Sequence, residues 1–318
     1  MLSEQKMKNV VNQRSKEYDI SVNNMYSMYA LEQLVTKISQ SEYKDNFVLK
    51  GGYLLTSIYG LDNRTTKDFD STIRRVPLDE NQVRDFAKFI EEGEPAFEVK
   101  RIKTIRERFD YDGFNIKLDY INGKVRVPFD IDLTTGEDTL PIKENVKIPL
   151  LFSDGEIQMP AYPVEQVLSD KLYTTLAYGA EDDKNSRSKD LYDIHFLTKM
   201  NKDVDYQQIV KTIEKTKIQR NIVIPINQYD SILESLKNSD FQKDNWNKYR
   251  ESKAFARDIE FSEVMNSVKL FSSNVERAFG SLSISEQREI GKSQENQFRE
   301  QRGSITRKIE NQNQHDLW

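Results

Sequence analysis

Hydrophobic and polar positions divide the chain into a strand-rich first half and a helical remainder. Phe47-Val48-Leu49 is a short apolar run with the character of a buried strand; it breaks at Gly51-Gly52, after which Leu54, Leu55 and Ile58 fall at helical spacing. Tyr59-Gly60 closes that helix, and a polar loop from Leu61 to Thr66 leads into Lys67-Asp68-Phe69-Asp70-Ser71-Thr72-Ile73. Alternation along this run places Asp68 and Asp70 on one face of a strand and Phe69 on the other. Upstream, Met1 to about Gln40 reads as two polar helices, the second carrying Met25, Tyr29, Leu31, Leu34, Val35 and Ile38 on a broad apolar side.

Downstream, a helix is predicted from about Leu78 to Glu92. Phe114-Asn115-Ile116-Lys117-Leu118 and Val125-Arg126-Val127 then flank Asn122-Gly123, the pattern of a hairpin with a two-residue turn. The second hairpin strand continues through Phe129-Asp130-Ile131-Asp132-Leu133, with both aspartates on the side opposite Phe129, Ile131 and Leu133. If it lies beside the Asp68 strand, a third carboxylate joins the first two. After Pro163 the pattern is helical: Val164, Val167, Leu168, Leu172 and Thr175 form an apolar stripe with Lys171 set inside it. The next helix carries Asp190 and Asp193 one turn apart beside Leu191, Ile194 and Leu197, and His195 reads as a packing residue. From about Ser272 large apolar residues become sparse, and Gln294 to Gln314 reads as a solvated helix or partly disordered arm. The predicted division is residues 1–160 and 161–318.

Composition narrows the chemistry. The chain has 318 residues, no cysteine and two histidines, His195 and His315. Disulfides, thiolate metal sites and Cys nucleophiles are excluded, and His-based zinc sites and Ser/His/Asp triads are disfavoured, so carboxylates and lysines must carry any reaction. No run approaches a membrane span and the N-terminus lacks an apolar signal core, which predicts a cytoplasmic protein. A net charge of -5 argues against indiscriminate coating of nucleic acid. Local basic faces remain: Arg101, Lys103, Arg106 and Arg108 with Phe109 and Tyr111 nearby, and Lys211, Lys215 and Lys217. Either could touch phosphates or be a solvated surface.

Two carboxylates on one strand face need a cation, and all-oxygen ligation suits Mg²⁺ or Mn²⁺. Gly51 and Gly52 at a helix N-terminus place unpaired N–H groups where phosphate is favoured. Spacing alone does not select the site, because Asp-x-Asp occurs four times. Asp110/Asp112 reads as a turn, and Asp203 as the cap of a helix starting near Tyr206.

Order is more specific than any single piece. Gly51-Gly52, Arg64-x-Thr66-x-Asp68-x-Asp70, Asp132, Lys171 and Arg187-x-Lys189-Asp190-x-x-Asp193 together resemble the AbiEii/AbiGii nucleotidyltransferase toxin family of the DNA polymerase β-like superfamily. The resemblance spans about Phe47 to Met200. It implies an α+β fold, with a polymerase-β-like core of mixed twisted sheet flanked by helices, then a mainly helical C-terminal domain completing the active site. It also implies the toxin of a type IV toxin–antitoxin or abortive-infection (phage-defence) system, with a cognate antitoxin as partner.

On that resemblance, Asp68 and Asp70 hold Mg²⁺ on the triphosphate of GTP or another NTP. Asp132 shares a second metal, with Asp130 as the alternative third acid. Gly51 and Gly52 cradle the phosphates, and because a Gly-Ser hydroxyl common in the superfamily is missing, Thr65, Thr66 or Ser71 could supply a contact. Lys171 offsets leaving-group charge, and Asp190, with Asp193, orients it or contacts the nucleotide. The acceptor is an RNA, the tRNA 3′ end being the one used in some members of the wider group. Two other readings are an inactive nucleotide-binding or protein-interaction module and a two-metal nuclease.

Overall fold

A computed structural model describes residues 2–282 apart from 67, 77, 107–111, 136–139, 183, 185–186 and 220–222, and apart from the side chains at 68, 106, 112, 218 and 219. The Gln294–Gln314 arm, Asp110, Arg108, Phe109, Tyr111 and the side chain of Arg106 therefore lie outside the described residues. The elements run in the order α1 (Glu4–Glu17), α2 (Val22–Ser39), β1 (Phe47–Lys50), α3 (Gly51–Tyr59), β2 (Asp68–Ile73), α4 (Glu80–Glu91), β3 (Ala96–Arg106), β4 (Asp112–Asn122), β5 (Val125–Thr134), β6 (Lys143–Pro149) and β7 (Glu156–Ala161). Helices α5 (Val164–Glu181), α6 (Ser188–Met200), α7 (Tyr206–Gln219), α8 (Tyr229–Asn238), α9 (Asp240–Glu251) and α10 (Phe261–Ser281) follow. The fold is mixed α/β. Two compact units are formed, Met1–Val167 with Asp244–Phe261, and Leu168–Lys243 with the chain from Ser262.

The first unit is built on one seven-stranded mixed sheet in the order β3-β4-β5-β2-β1-β7-β6. Strands β2 and β5 pair in parallel, as do β1 and β7, while the other neighbours are antiparallel. One face of β4 and β5 is apolar and buried through Ile116, Leu118, Ile131 and Leu133, the alternation expected of a sheet packed on one side. Against the sheet core, Tyr29 of α2 meets Tyr120 and Phe152 at ring separations of 5.8 and 5.2 Å. Helix α4 starts where Asp79 accepts hydrogen bonds from the Asn81 and Gln82 amides, and it buries Val83, Phe86, Ala87 and Ile90 at helical spacing. Its far end is closed by Lys37, whose amine donates to the Ile90 and Glu92 carbonyls.

The polar loop from Leu61 to Thr66 packs inward, with Leu61, Arg64, Thr65 and Thr66 all buried. Three sequence expectations change here. The two-residue hairpin loop is Gly123-Lys124, because Asn122 still pairs with Val125; the Asn122 side chain is held by the Leu2 carbonyl, and Gly123 takes φ 60°. Asp205, not Asp203, caps α7 by accepting from the Gln207 and Gln208 amides. Lys217 is buried and paired with Glu214 at 2.6 Å, so it does not extend a basic surface. Among the described residues, no helix is long and apolar enough to cross a membrane.

Candidate active site

Strand register places the acidic residues together. In the parallel β2/β5 pair, Asp68 lies opposite Asp130 and Asp70 opposite Asp132. Lys50 on β1 lies opposite Asp70, and Asn115 on β4 lies opposite Asp132. Laterally paired residues share a face of the sheet, so Lys50, Asp70, Asp132 and Asn115 form one row across four strands. Asn115 donates from Nδ2 to Asp132 Oδ1 at 2.8 Å. The Lys50 amine donates to the Thr134 hydroxyl at 2.8 Å and lies 5.7 Å from the Tyr162 ring centre. Tyr162 in turn shares a 2.8 Å hydrogen bond with Thr72. Asp130, opposite Lys117, keeps a buried Oδ1 with no hydrogen-bond partner.

The hairpin loop decides this pairing. A turn one residue earlier would set Asp130, rather than Asp132, opposite Asn115, since a one-residue slip shifts every cross-strand pair.

The glycine turn reaches the same row. Gly51 opens α3 with φ +67°, and a Cβ there would lie 2.2 Å from Asp70 Oδ2. A Cβ on Gly52 would lie 2.5 Å from the Thr66 hydroxyl. Two motifs separated in sequence are thus packed against each other, and only glycine allows the approach. Lys50 is the N-cap of α3 but contributes no side-chain cap hydrogen bond. Thr66 is buried against Gly52 and shapes the turn. Ser71 is no phosphate-contact candidate: it is fully buried and its hydroxyl donates to the Val48 carbonyl at 3.0 Å.

The carboxylate set is compatible with a hard divalent cation. Asp70 and Asp132 are cross-strand neighbours, and Asp130 has a buried oxygen awaiting a donor or an ion. Among the described residues, which omit the Asp68 side chain, no group of three acidic or histidine side chains converges tightly enough to form a metal cage.

In the second unit, Lys171 of α5 lies 2.8 Å from Asp190 Oδ1 and 2.7 Å from Asp193 Oδ2 on α6. Asp193 is fully buried. Arg187 Nε sits 2.9 Å from Asp190 Oδ2, a charge contact not aligned as a hydrogen bond, and its guanidinium covers the Tyr178 ring at 4.7 Å. Burial alone would push the Asp190 carboxyl up, but the Lys171 and Arg187 charges outweigh it and hold it below the usual range. His195 is buried, 2.8 Å from the Ser267 hydroxyl through Nδ1, and burial pulls its pKa down. It is a packing residue.

No role is assigned to Lys50, Asn115, Thr134 or Tyr162 from the sequence alone. Asn115 follows from counting back along the hairpin once its loop is placed. Lys50 carries a weaker signal, as the residue directly before the glycine pair on a strand next to Asp70. Tyr162 joins through a parallel pairing that no local pattern shows.

Such a face, with registered carboxylates beside a glycine-opened helix, suits phosphoryl chemistry on a nucleotide. The model of the nucleotidyl transferase AbiEii toxin family, of type IV toxin–antitoxin systems, matches residues 33–267, and the chain belongs to this family of nucleotidyltransferases. Membership implies an antitoxin as partner. Among solved structures, the chain is similar to a candidate nucleotidyltransferase from Helicobacter pylori, with 16% identity, a TM-score of 0.48 and coverage of 81% of this chain and 98% of that one. It is also similar to JHP933 from Helicobacter pylori, with 15% identity, a TM-score of 0.42 and coverage of 88% and 97%. A search of curated proteins finds no match.

Proposed function

We propose that the protein transfers a nucleoside monophosphate from a nucleoside triphosphate to a hydroxyl of RNA, with Mg²⁺ or Mn²⁺, from a polymerase-β-like core, and that the tRNA 3′ end is the first acceptor to test. One observation carries the reading: Asp70 and Asp132 stand in register beside a glycine turn so close to Asp70 that no Cβ would fit between them. Asp70 and Asp132, with Asp68 and either oxygen of Asp130, would hold the cation. When bound, it draws charge from the triphosphate and acidifies the acceptor hydroxyl.

The rest falls to the chain. The opening amides of α3 orient the phosphates, since the helix dipole and unpaired N–H groups favour anions. Asn115 fixes the Asp132 carboxylate, and Lys50 braces the row through Thr134. Lys171, held by Asp190 and Asp193, is the cation this reading assigns to charge on the leaving group. As the acceptor oxygen bonds to the α-phosphorus, the α–β phosphoanhydride breaks, pyrophosphate leaves with the electron pair, and the hydroxyl proton passes to solvent. In the cell, the outcome is growth arrest relieved by the antitoxin, with phage defence as the setting.

The test is incubation of the purified protein with each labelled nucleoside triphosphate, GTP included, Mg²⁺ and total RNA. Labelled, lengthened RNA supports transfer, and shortened RNA supports a two-metal nuclease. An unlabelled product with no Mg²⁺-dependent thermal stabilisation by nucleotide supports an inactive interaction module.

A further inference from the structure

The open face of the sheet does not end at Asp132. Next to Asn115 in the same row lies Lys103 on the edge strand β3, and in the neighbouring row Arg101 lies opposite Lys117, which lies opposite Asp130. A bulge between Val99 and Arg101 makes this possible. Before it, Phe97 and Val99 take the packed side; after it, Ile102 and Thr104 pair with Ile116 and Phe114 on that side, which turns Arg101 and Lys103 outward. Arg101, Lys103 and Lys117 are all exposed.

Their neighbours show what an internally satisfied cation looks like on this face. Lys100 lies 2.6 Å from Glu98, and Arg126 lies 2.6 Å from Glu98 and 3.9 Å from Asp119. No carboxylate among the described residues pairs with Arg101, Lys103 or Lys117. Adjacent strands lie about 4.8 Å apart, so β4 and β3 stand roughly 10 and 14 Å from the Asp70 strand. That is too far for the triphosphate seated at Gly51 and suited to a second, extended anion. An open polar sheet face with cations spaced along and across its strands fits a single-stranded chain of phosphates, whose charge supplies most of the binding.

We infer that Arg101, Lys103 and Lys117 form a track for the phosphodiester backbone of a single-stranded polynucleotide, running along the open sheet face toward Asp132 and Asp70. The inference rests on the reading of those aspartates as the transfer site.

The experiment compares the full-length protein with the triple variant Arg101→Gln/Lys103→Gln/Lys117→Gln. The probes are fluorescein-labelled 20-mer single-stranded RNA and single-stranded DNA, titrated over a range of salt. Three lost contacts should weaken binding about tenfold or more at low salt and reduce the slope of log K against log[salt] by about 2. The charge-conserving variant Arg101→Lys/Lys103→Arg/Lys117→Arg should retain the slope, and Mg²⁺-dependent stabilisation by nucleoside triphosphate should be unchanged in both. Equal loss for both probes supports recognition of the backbone alone; loss for RNA only supports an RNA track. An unaltered slope in the triple variant overturns the track while leaving the transfer reading intact. Loss of nucleotide stabilisation in that variant also overturns it, since the cations would then serve the triphosphate. A parent protein that binds polynucleotide through these residues but shows no nucleotide stabilisation supports the track and overturns the transfer reading.

Discussion

The two compact units treat buried charge in opposite ways. In the second, Lys171 is held between Asp190 and Asp193, and Lys217 meets Glu214 with both side chains buried. In the first, Glu32 is buried against the main-chain amides of Leu151 and Phe152, Asp130 keeps a buried oxygen unpartnered, and Asp70 faces Asp132 across neighbouring strands. A cluster with its counter-charges in place is self-sufficient. Asp70 and Asp132, side by side in a row with Lys50 and Asn115, form a set that a bound cation would complete and relieve. Burial differs as well, Asp193, Lys217 and Glu214 being buried while Asp70, Asp130 and Asp132 are only partly so.

The largest effect is expected where that relief is removed. Asp70→Asn should lower nucleotidyl transfer by about a thousandfold or more, equivalent to roughly 4 kcal/mol of transition-state stabilisation. Its thermal unfolding should stay level or improve, because a repelling charge is gone. Parental transfer by Asp70→Asn would remove the row from the chemistry. In the second unit the balance is reversed. Lys171→Met removes the cation from fully buried Asp193 and leaves Asp190 with Arg187 alone, and should destabilise by about 3–5 kcal/mol in urea unfolding. Adding Asp193→Asn should recover part of that loss, a coupling that a double-mutant cycle measures. A Lys171→Met protein as stable as the parent would end the distinction between the units.

How far these arrangements were legible in the sequence depends on how local they are. Helices α1 to α4, the Asn122 hairpin and the Asp68-x-Asp70 strand follow from periodicity and turn residues, which act over a few positions. The pairing of Asp70 with Asp132 required a parallel contact between strands far apart in the chain, and alternation fixes a face without naming a neighbour. The bulge between Val99 and Arg101 was equally hidden: a run of charged residues does not show where a strand gains its extra residue. Glu32 sits in an apolar helix face with no local hint that Leu151 and Phe152 will supply its hydrogen bonds. Asp203 and Asp205 are equivalent by spacing, and only the position of the first helical turn chooses between them.

Glu32 tests the first unit by pH. Burial pushes its carboxyl up to about 7, against which the Leu151 and Phe152 amides act only in part. A carboxyl whose folded pKa exceeds the ordinary value of 4.5 binds more protons in the native state between those limits. Its contribution is therefore full below about pH 4.5 and declines as pH rises through about 7, with up to about 3 kcal/mol of stability lost. Glu32→Gln should flatten that slope and be the more stable protein at pH 8, because an amide oxygen can still accept from both main-chain groups. Asp190 should behave in the opposite sense, its stabilisation present at neutral pH and lost only as pH falls below the ordinary carboxylate range. Chemical unfolding midpoints measured from pH 4 to 8 separate the two, and parallel profiles for parent and Glu32→Gln would remove Glu32 from the comparison.

At the glycine turn the expected loss of stability is smaller than at Lys171 or Glu32, and its division between fold and function is most informative. Gly51→Ala must adopt φ +67° and place a methyl group against the Asp70 carboxylate, 2.2 Å from Oδ2 before any adjustment. The left-handed conformation costs roughly 1–2 kcal/mol for a residue with a Cβ. The contact is relieved by turning Asp70 away, which spares stability and disturbs the acidic row. Gly52→Ala instead presses on the buried Thr66 side chain, so its cost should fall on packing. The two variants should therefore lose similar stability in thermal unfolding but differ in transfer, with Gly51→Ala losing more activity per kcal/mol. Equal losses of activity would mean that the turn serves the fold alone and that Asp70 is free to move without consequence.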